Sequence, residues 1–357
     1  MRELHDEPLA GYTTMRVGGP AARMVVAETT DELVDAVREV DDADEPLLVL
    51  GGGSNLVLPD EGFAGTVVVV ATRGVDLDSA DSCGGANVTV AAGEPWDPFV
   101  ERACAEGWSG IEALSGIPGS TGATPIQNVG AYAQDVSQTV ARVRVWDRLE
   151  EKVRTMMSVD CRFTYRHSLF KGTDRYVVLD VMFQLVLQSL SQPVRYGDLA
   201  AQLGVESGDR VPLAEAREAV LAQRRRRGMV LDADDHDTWS CGSFFTNPVL
   251  SEAEFAALEE RAGERLGSEA GAPPRFPDAG GRVKTSAAWL IERAGFGKGY
   301  GMPGPAAVST KHSLALTNRG SARAADVVAL AREVRDGVQD AFGITLVNEP
   351  VLLGQEL

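Results

Sequence analysis

Two glycine-dense stretches have the residue types and spacing to hold an anionic ligand by main-chain groups. The shorter is Gly51-Gly52-Gly53-Ser54-Asn55, directly after the apolar run Leu47–Leu50. The longer is Ser115–Asp135, SGIPGSTGATPIQNVGAYAQD, where Gly116, Gly119, Gly122 and Gly130 recur with Pro118 and Pro125 between them. Glycine lets a backbone approach a ligand closely, and successive N–H groups can form an anion-binding nest. The longer stretch follows no helical period and is loop by chemistry, yet Ile117, Ile126, Val129 and Tyr132 are too apolar for a free linker. Its composition suits a packed Ω-loop as well as a phosphate cradle, and both readings stand at this point.

The common nucleotide signatures are missing. Leu56 stands where a Rossmann fingerprint after Gly51 and Gly53 needs its third glycine, and no G-x-x-x-x-G-K-[ST] occurs. His5, His167, His236 and His312 are isolated, so no metal site is expected. Cys83, Cys104, Cys161 and Cys241 form no CxxC pair, which points to reduced thiols in the cytoplasm. The net charge of -18 argues against nucleic acid, whose binding needs a basic face. It does not forbid a small anionic ligand held by local groups. The first residues, MRELHDEPLAGYTTM, contain no apolar signal core, and no apolar run reaches the roughly 20 residues that span a bilayer.

The elements that would position these loops can be read from periodicity. With 357 residues, 44% of them hydrophobic, the chain can bury more than one core, and two or three domains are expected. Arg23–Ala27, Leu47–Leu50 and the valine-rich Thr66–Ala71 read as strands. Thr29–Val40 reads as a helix, with Thr29 and Glu32 at capping-box spacing and an apolar stripe of Leu33, Val34, Val37 and Val40. The glycine turn at Gly51 thus sits at a strand's carboxyl end in an α/β unit. Val88–Ala92, Arg142–Trp146 and Val177–Leu187 are further strands, and Trp96–Glu106 a helix closed by Gly107. Helices are expected over Pro212–Arg227, Ser251–Ala262 (ended by Gly263), Ser286–Ala294 and Ser321–Phe342. Asp232–Asp237 reads as an acidic loop, Gly267–Gly281 as a Pro/Gly-rich loop, and Ile344–Val347 as the last strand.

Taken together, seven stretches resemble the UDP-N-acetylenolpyruvoylglucosamine reductase (MurB) family, in family order and across nearly the whole chain. They are Thr14–Ala21 (TMRVGGPA), Leu50–Leu56 (LGGGSNL), Pro118–Val136, Tyr165-Arg166-His167-Ser168, Gly242–Pro248 (GSFFTNP), Lys284–Ile291 (KTSAAWLI) and Asn348-Glu349-Pro350. The two glycine loops alone would specify only the wider group of FAD proteins; the Gly-Ser-Phe-Phe and Asn-Glu-Pro elements narrow it. The resemblance implies an α+β and α/β protein with an FAD-binding fold of the PCMH/VAO type, made of two FAD-binding regions, plus a C-terminal α+β substrate-binding domain. The regions would be residues 1–71 with 346–357 returning, residues 72–220, and residues 221–345. It implies a cytoplasmic enzyme, by default a monomer, working in peptidoglycan precursor synthesis and so in cell-wall biogenesis, cell shape and division. NADPH would reduce FAD, and hydride would pass from flavin N5 to the enolpyruvyl methylene carbon of UDP-N-acetylglucosamine enolpyruvate. A proton at the neighbouring carbon would complete UDP-N-acetylmuramate.

That chemistry needs cations or donors at the substrate carboxylate and a proton source at carbon. By the resemblance, Arg166 supplies a fixed charged fork for the carboxylate, Ser243 the proton, and Glu349 polarisation or a proton relay. Read by residue type alone, the same three would be a surface ion pair, a turn or helix-cap serine, and an exposed charge near the C-terminus. Cys241, two residues before Ser243, is the rival nucleophile, but no positioned histidine accompanies it and a buried small residue suits it better. The resemblance further places the diphosphate of the substrate against Tyr196, in the family type with a tyrosine loop, sets Asn247 on the uridine or diphosphate side, and makes Arg227, where many members carry lysine, a substrate-binding cation. Arg224–Arg227 could equally be a solvated helix end. Gly51, Gly52, Gly53, Ser54 and Asn55 would receive the FAD pyrophosphate, with Gly119, Ser120, Gly122, Gln127, Asn128 and Gly130 flanking the flavin; Arg16 would brace the first region. A bulky side chain at Gly122 or Gly130 is then expected to cost FAD affinity before folding. The alternatives are an FAD oxidase of the same fold and a non-catalytic nucleotide-binding protein.

Overall fold

Val67 and Val68 are fully buried, which fits their place in the middle of a sheet covered on both faces. The strand Phe63–Val70 that carries them is flanked in parallel by Pro20–Ala27 and Leu47–Leu50, and Arg2–Pro8 completes the sheet beside Pro20–Ala27. Thr30–Asp42 is the helix expected between two of these strands. The Thr29 side chain accepts from the Glu32 N–H, and Leu33, Ala36, Val37 and Val40 face inward. In the computed structural model residues 1–267 and 271–357 are described, so part of the Gly267–Gly281 loop expectation, residues 268–270, lies outside them. The described residues divide into two compact units. The first holds Met1–Glu7, Ala21–Gly53 and Phe63–Val230; the second holds Pro8–Pro20, Ser54–Gly62 and Leu231–Leu357.

Within the first unit a second, antiparallel sheet runs in the order Lys152–Met157, Val140–Asp147, Tyr176–Leu187, Gly85–Ala91, Val75–Asp81, with Trp108–Ser109 paired on the far end of the long strand. The expected alternation along that strand holds for Val177, Leu179, Val181, Phe183 and Leu185 but fails at Leu187, which is 38% exposed near the strand end. The helix Trp96–Ala105 packs Trp96 and Phe99 against Phe183, with ring centroids 5.4–5.8 Å apart. One hydrophobic core runs from Val25 and Val68 of the parallel sheet to Val181 and Phe183 of the antiparallel one. Gly197–Leu203 and Leu213–Arg226 add a small helical cluster around Leu199, Ala216 and Val220.

The second unit is built on the helices Glu252–Leu266, Ala287–Ala294 and Ala324–Phe342, with short strands beside them. Inside the expected Gly267–Gly281 loop, Phe276–Asp278 forms a short strand against Arg282–Lys284, and three further boundaries differ from the sequence reading. The Ser251/Glu254 capping box forms as expected, but the helix runs through Gly263 to Leu266, because Leu266 continues the apolar face and Gly267 supplies the stop. The longest helix starts at Ala324 rather than Ser321: the Asp60 carboxylate accepts from the Ala324 and Ala325 N–H groups and fixes the first turn there. Ile344–Val347 forms no strand. Ile344 and Leu346 are buried as alternation demands, but the segment that finds a ladder partner is Val351–Leu352, parallel to Leu56–Val57.

Candidate active site

The first glycine turn touches the second glycine loop. A Cβ on Gly52 would lie 2.4 Å from the Gly119 Cα, and one on Gly51 would lie 2.5 Å from the Ser120 Oγ. The Gly52 contact is with main chain, so only glycine permits that approach, whereas the Ser120 hydroxyl at Gly51 could turn aside. Gly53 and Gly119 adopt positive φ, 59° and 121°. Among the described residues, no carbonyl accepts from the N–H groups of Gly52, Gly119 or Ser120. Neighbouring N–H groups that no carbonyl takes are what a diphosphate can use, so this donor set fits an FAD pyrophosphate. Gly122 differs. Its N–H donates to the Ala92 carbonyl at 2.8 Å, and its missing Cβ makes room for Ala92 itself. Its service to the site is to hold the loop close to the strand end.

The rest of the loop carries Arg166. The Tyr165-Arg166 turn is closed by mutual Thr164–His167 main-chain bonds of 2.9 and 3.2 Å. Arg166 has φ 52°, where glycine or asparagine is usual, and its Nη2 donates to the Gly130 carbonyl at 2.5 Å. Asn128, 3% exposed, does not present a loose amide: its Nδ2 donates to the Thr164 carbonyl at 3.0 Å and its Oδ1 accepts from the Ser137 N–H at 3.1 Å.

Tyr196 precedes the helix Gly197–Leu203 and meets Tyr132 edge-on, with centroids 5.3 Å apart. Arg227 ends the next helix, and its Nη2 donates to Asp198 Oδ2 at 3.0 Å. Burial opposes the Arg227 charge, but the Tyr196 hydroxyl and Asp198 beside it leave its pKa raised. Of the arginine run, Arg225 and Arg226 are solvated, while Arg224 turns inward. Burial pushes Arg224 down to about 10, and its Nε has no partner among the described residues. A half-exposed tyrosine beside two arginines suits an anionic group. Tyr132 and Arg224 gave no separate signal in the sequence, since one sits in the glycine loop and the other in a run of four like residues.

In the second unit Ser243 lies on an irregular segment between Gly242, at φ 74°, and the fully buried Phe244. That segment runs antiparallel to Asn348–Glu349: the Glu349 N–H donates to the Phe244 carbonyl at 2.8 Å, and Phe245 bridges Asn348. Ser243 therefore caps no helix, and Glu349 is half-buried rather than an exposed terminal charge. Asn55 Nδ2 donates to the Glu349 carbonyl at 3.3 Å, and Ser54 belongs to the same unit. Asn247 uses its Oδ1 to accept from the Ala287 N–H at 3.0 Å, at the start of a helix that Ser286 also caps. Burial pushes the Cys241 thiol up to about 12, and its Sγ donates to the Leu56 carbonyl, so it is no nucleophile at neutral pH. Arg16 stacks its guanidinium 4.0 Å from the Trp239 ring, within this second unit.

Residues 21–156 match the model of the FAD binding domain, and residues 234–353 match that of the UDP-N-acetylenolpyruvoylglucosamine reductase C-terminal domain. A UDP-N-acetylenolpyruvoylglucosamine reductase of Thermobifida fusca is 60% identical over 98% of both chains. One of Streptomyces avermitilis is 58% identical over 100% of this chain and 96% of its own. The chain belongs to the UDP-N-acetylenolpyruvoylglucosamine reductase family. A crystal structure of the family member from Thermus caldophilus has 25% identity and a TM-score of 0.63, covering 98% of each chain. The family and the fold class expected from the sequence, an FAD-binding fold followed by the reductase C-terminal domain, are both borne out. Among the described residues, no group of histidine, cysteine and carboxylate side chains could hold a metal ion, and no helix is long and apolar enough to cross a membrane.

Proposed function

We propose that the protein is an FAD-dependent reductase of UDP-N-acetylglucosamine enolpyruvate, forming UDP-N-acetylmuramate with NADPH as electron donor. The observation that carries this reading is the pairing of the Ser243–Phe244 segment with Asn348–Glu349, which brings two half-buried residues, one with a hydroxyl and one with a carboxylate, onto neighbouring segments of chain. When bound, FAD supplies the hydride that the enolpyruvyl methylene carbon accepts. Arg166 takes the substrate carboxylate in its fork and stabilises the charge that builds there. Ser243 donates its proton to the neighbouring carbon. Glu349 polarises the site from beside it. Tyr196, Arg227 and Asn247 receive the diphosphate and uridine. Gly51–Asn55, Gly119 and Ser120 hold the FAD pyrophosphate by their N–H groups, and the main chain of Gly122 and Gln127–Gly130 shapes the wall beside the ring. In this division residues 1–71, with 346–357 returning, and 72–220 serve the cofactor, residues 221–345 serve the substrate, and the enzyme works as a monomer in the cytoplasm.

Ser243→Ala tests it. Flavin reduction by NADPH should survive, while reoxidation of the reduced enzyme by the enolpyruvyl substrate, followed by stopped flow, should fall about 10²–10⁴-fold, as expected for loss of a positioned acid. Reoxidation at the unaltered rate would remove Ser243 from the mechanism. Rapid reoxidation by air that the substrate does not accelerate would favour an oxidase instead.

A further inference from the structure

Arginine has a long, flexible side chain, and the turn that carries Arg166 is exposed at Thr164, Tyr165 and His167. Packing alone would not hold it. The turn is instead tied down at four points, all within the first unit. Asn128 Nδ2 holds the Thr164 carbonyl, and the Ser137 N–H on its Oδ1 fixes which end of the amide points there. The buried Ser168 hydroxyl donates to the Ile126 carbonyl at 2.6 Å and accepts from the Phe170 N–H at 3.1 Å. The Gly130 carbonyl takes Arg166 Nη2, and the absent Gly130 Cβ would lie 2.9 Å from Arg166 Nη1. Lys171 Nζ donates to the Arg166 carbonyl at 3.2 Å.

Three of the four ties land on Ile126, Asn128 and Gly130, one short piece of the glycine loop. The tied residue itself has φ 52°, a conformation that a side-chain-bearing residue holds only when its surroundings impose it. We infer that Ile126–Gly130 is the seat of Arg166, and that Asn128 and Lys171 are positioning residues that preset its guanidinium for the substrate carboxylate. The inference rests on the proposed role of Arg166. It assigns the Asn128 side chain to the arginine turn rather than to the cofactor.

The test uses FAD-loaded enzyme carrying Asn128→Asp, which puts an acceptor where a donor meets the Thr164 carbonyl, or Lys171→Met. Bound flavin and its reduction by NADPH should be unaltered in Lys171→Met. Reoxidation by the enolpyruvyl substrate should slow by roughly 10²-fold for Asn128→Asp and roughly tenfold for Lys171→Met, since misplacing a reacting partner by about 1 Å costs this much. Lys171→Arg should recover most of the loss. Each change combined with Arg166→Lys should cost little beyond Arg166→Lys alone, because both act through one guanidinium. Additive losses, loss of flavin before loss of reoxidation, or full-rate reoxidation would overturn the inference. If Asn128→Asp fails to fold, Lys171→Met and its arginine rescue decide alone. If Arg166→Lys itself reoxidises at the full rate, the role of Arg166 is what has failed.

Discussion

The two glycine loops of the first unit look alike in sequence and differ in what their glycines do. Gly51 and Gly52 give space to the other loop, and the N–H groups around the contact, those of Gly52, Gly119 and Ser120, stay open. Beyond that contact, the longer loop spends its glycines on its own fold. Gly116 makes room for Leu221 and Val230 and donates its N–H to Asp97 at 2.6 Å; Gly122 makes room for Ala92; Gly130 makes room for Asp135 and Arg166. A glycine that bares donors and a glycine that admits a neighbour cannot be told apart by composition. They are told apart by where the N–H goes and what a Cβ would strike.

The largest effect should come from breaking the second class. Gly122→Val would push its Cβ to within 2.5 Å of the Ala92 Cβ and 2.8 Å of the Ala92 Cα, at a buried position with no room to relax. Overpacking of this kind costs about 3 kcal/mol, or a Tm lowered by roughly 10 °C in calorimetry of the FAD-free protein. This reverses the order expected from the sequence, in which cofactor affinity would go first. An FAD-free protein that melts at the wild-type temperature would return Gly122 to the cofactor class.

A smaller and opposite pattern is expected at Gly52. Gly52→Ala meets the Gly119 backbone at 2.4 Å, so the two loops must part by about 1 Å to restore carbon contact, and Gly52, being exposed, lets them open toward solvent. Parting them separates the open N–H groups. FAD affinity, measured by flavin fluorescence titration, should weaken about tenfold, or about 1.4 kcal/mol, with the FAD-free Tm nearly unmoved. Equal loss of Tm in Gly52→Ala and Gly122→Val would erase the distinction between the loops.

How much of this was legible beforehand follows the range of the interactions. The valine strand, the Thr29 and Ser251 caps and the apolar face of Ala324–Phe342 depend on residues within a few positions, and period and cap chemistry read them correctly. The start of that last helix is set by Asp60, 264 residues away, and no local signal could reveal it. The same holds for the site. Motifs propose Arg166, Ser243 and Glu349, yet do not reveal what holds them: Asn128 and Thr164 are 36 residues apart, and Phe244 meets Glu349 across the whole C-terminal region. Asn128 illustrates the gap well. Its motif marked it as a cofactor neighbour, while its side chain is committed to two protein partners.

The smallest effect sharpens the comparison through charge. The longer loop is pinned at Gly116 by a titrating group, the Asp97 carboxylate. Burial works to raise the Asp97 pKa, but the Arg217 guanidinium, at 2.7 Å, and the Gly116 N–H outweigh it and leave the carboxyl below its usual range. A carboxyl depressed in the folded state contributes stability above its unfolded pKa of about 3.9 and loses it as pH falls through that value toward the folded one. Between pH 5 and pH 3, then, part of the fall in Tm belongs to Asp97. Asp97→Asn should start from a lower Tm at pH 7 and show a shallower fall over that window. The Gly116 amide should gain hydrogen exchange on acidification in the wild type, beyond the intrinsic pH dependence of exchange, while Gly52 shows no such step. If Gly52 and Gly116 respond alike, the longer loop is not held by this carboxylate, and its order rests on packing at Gly116 and Gly122 alone.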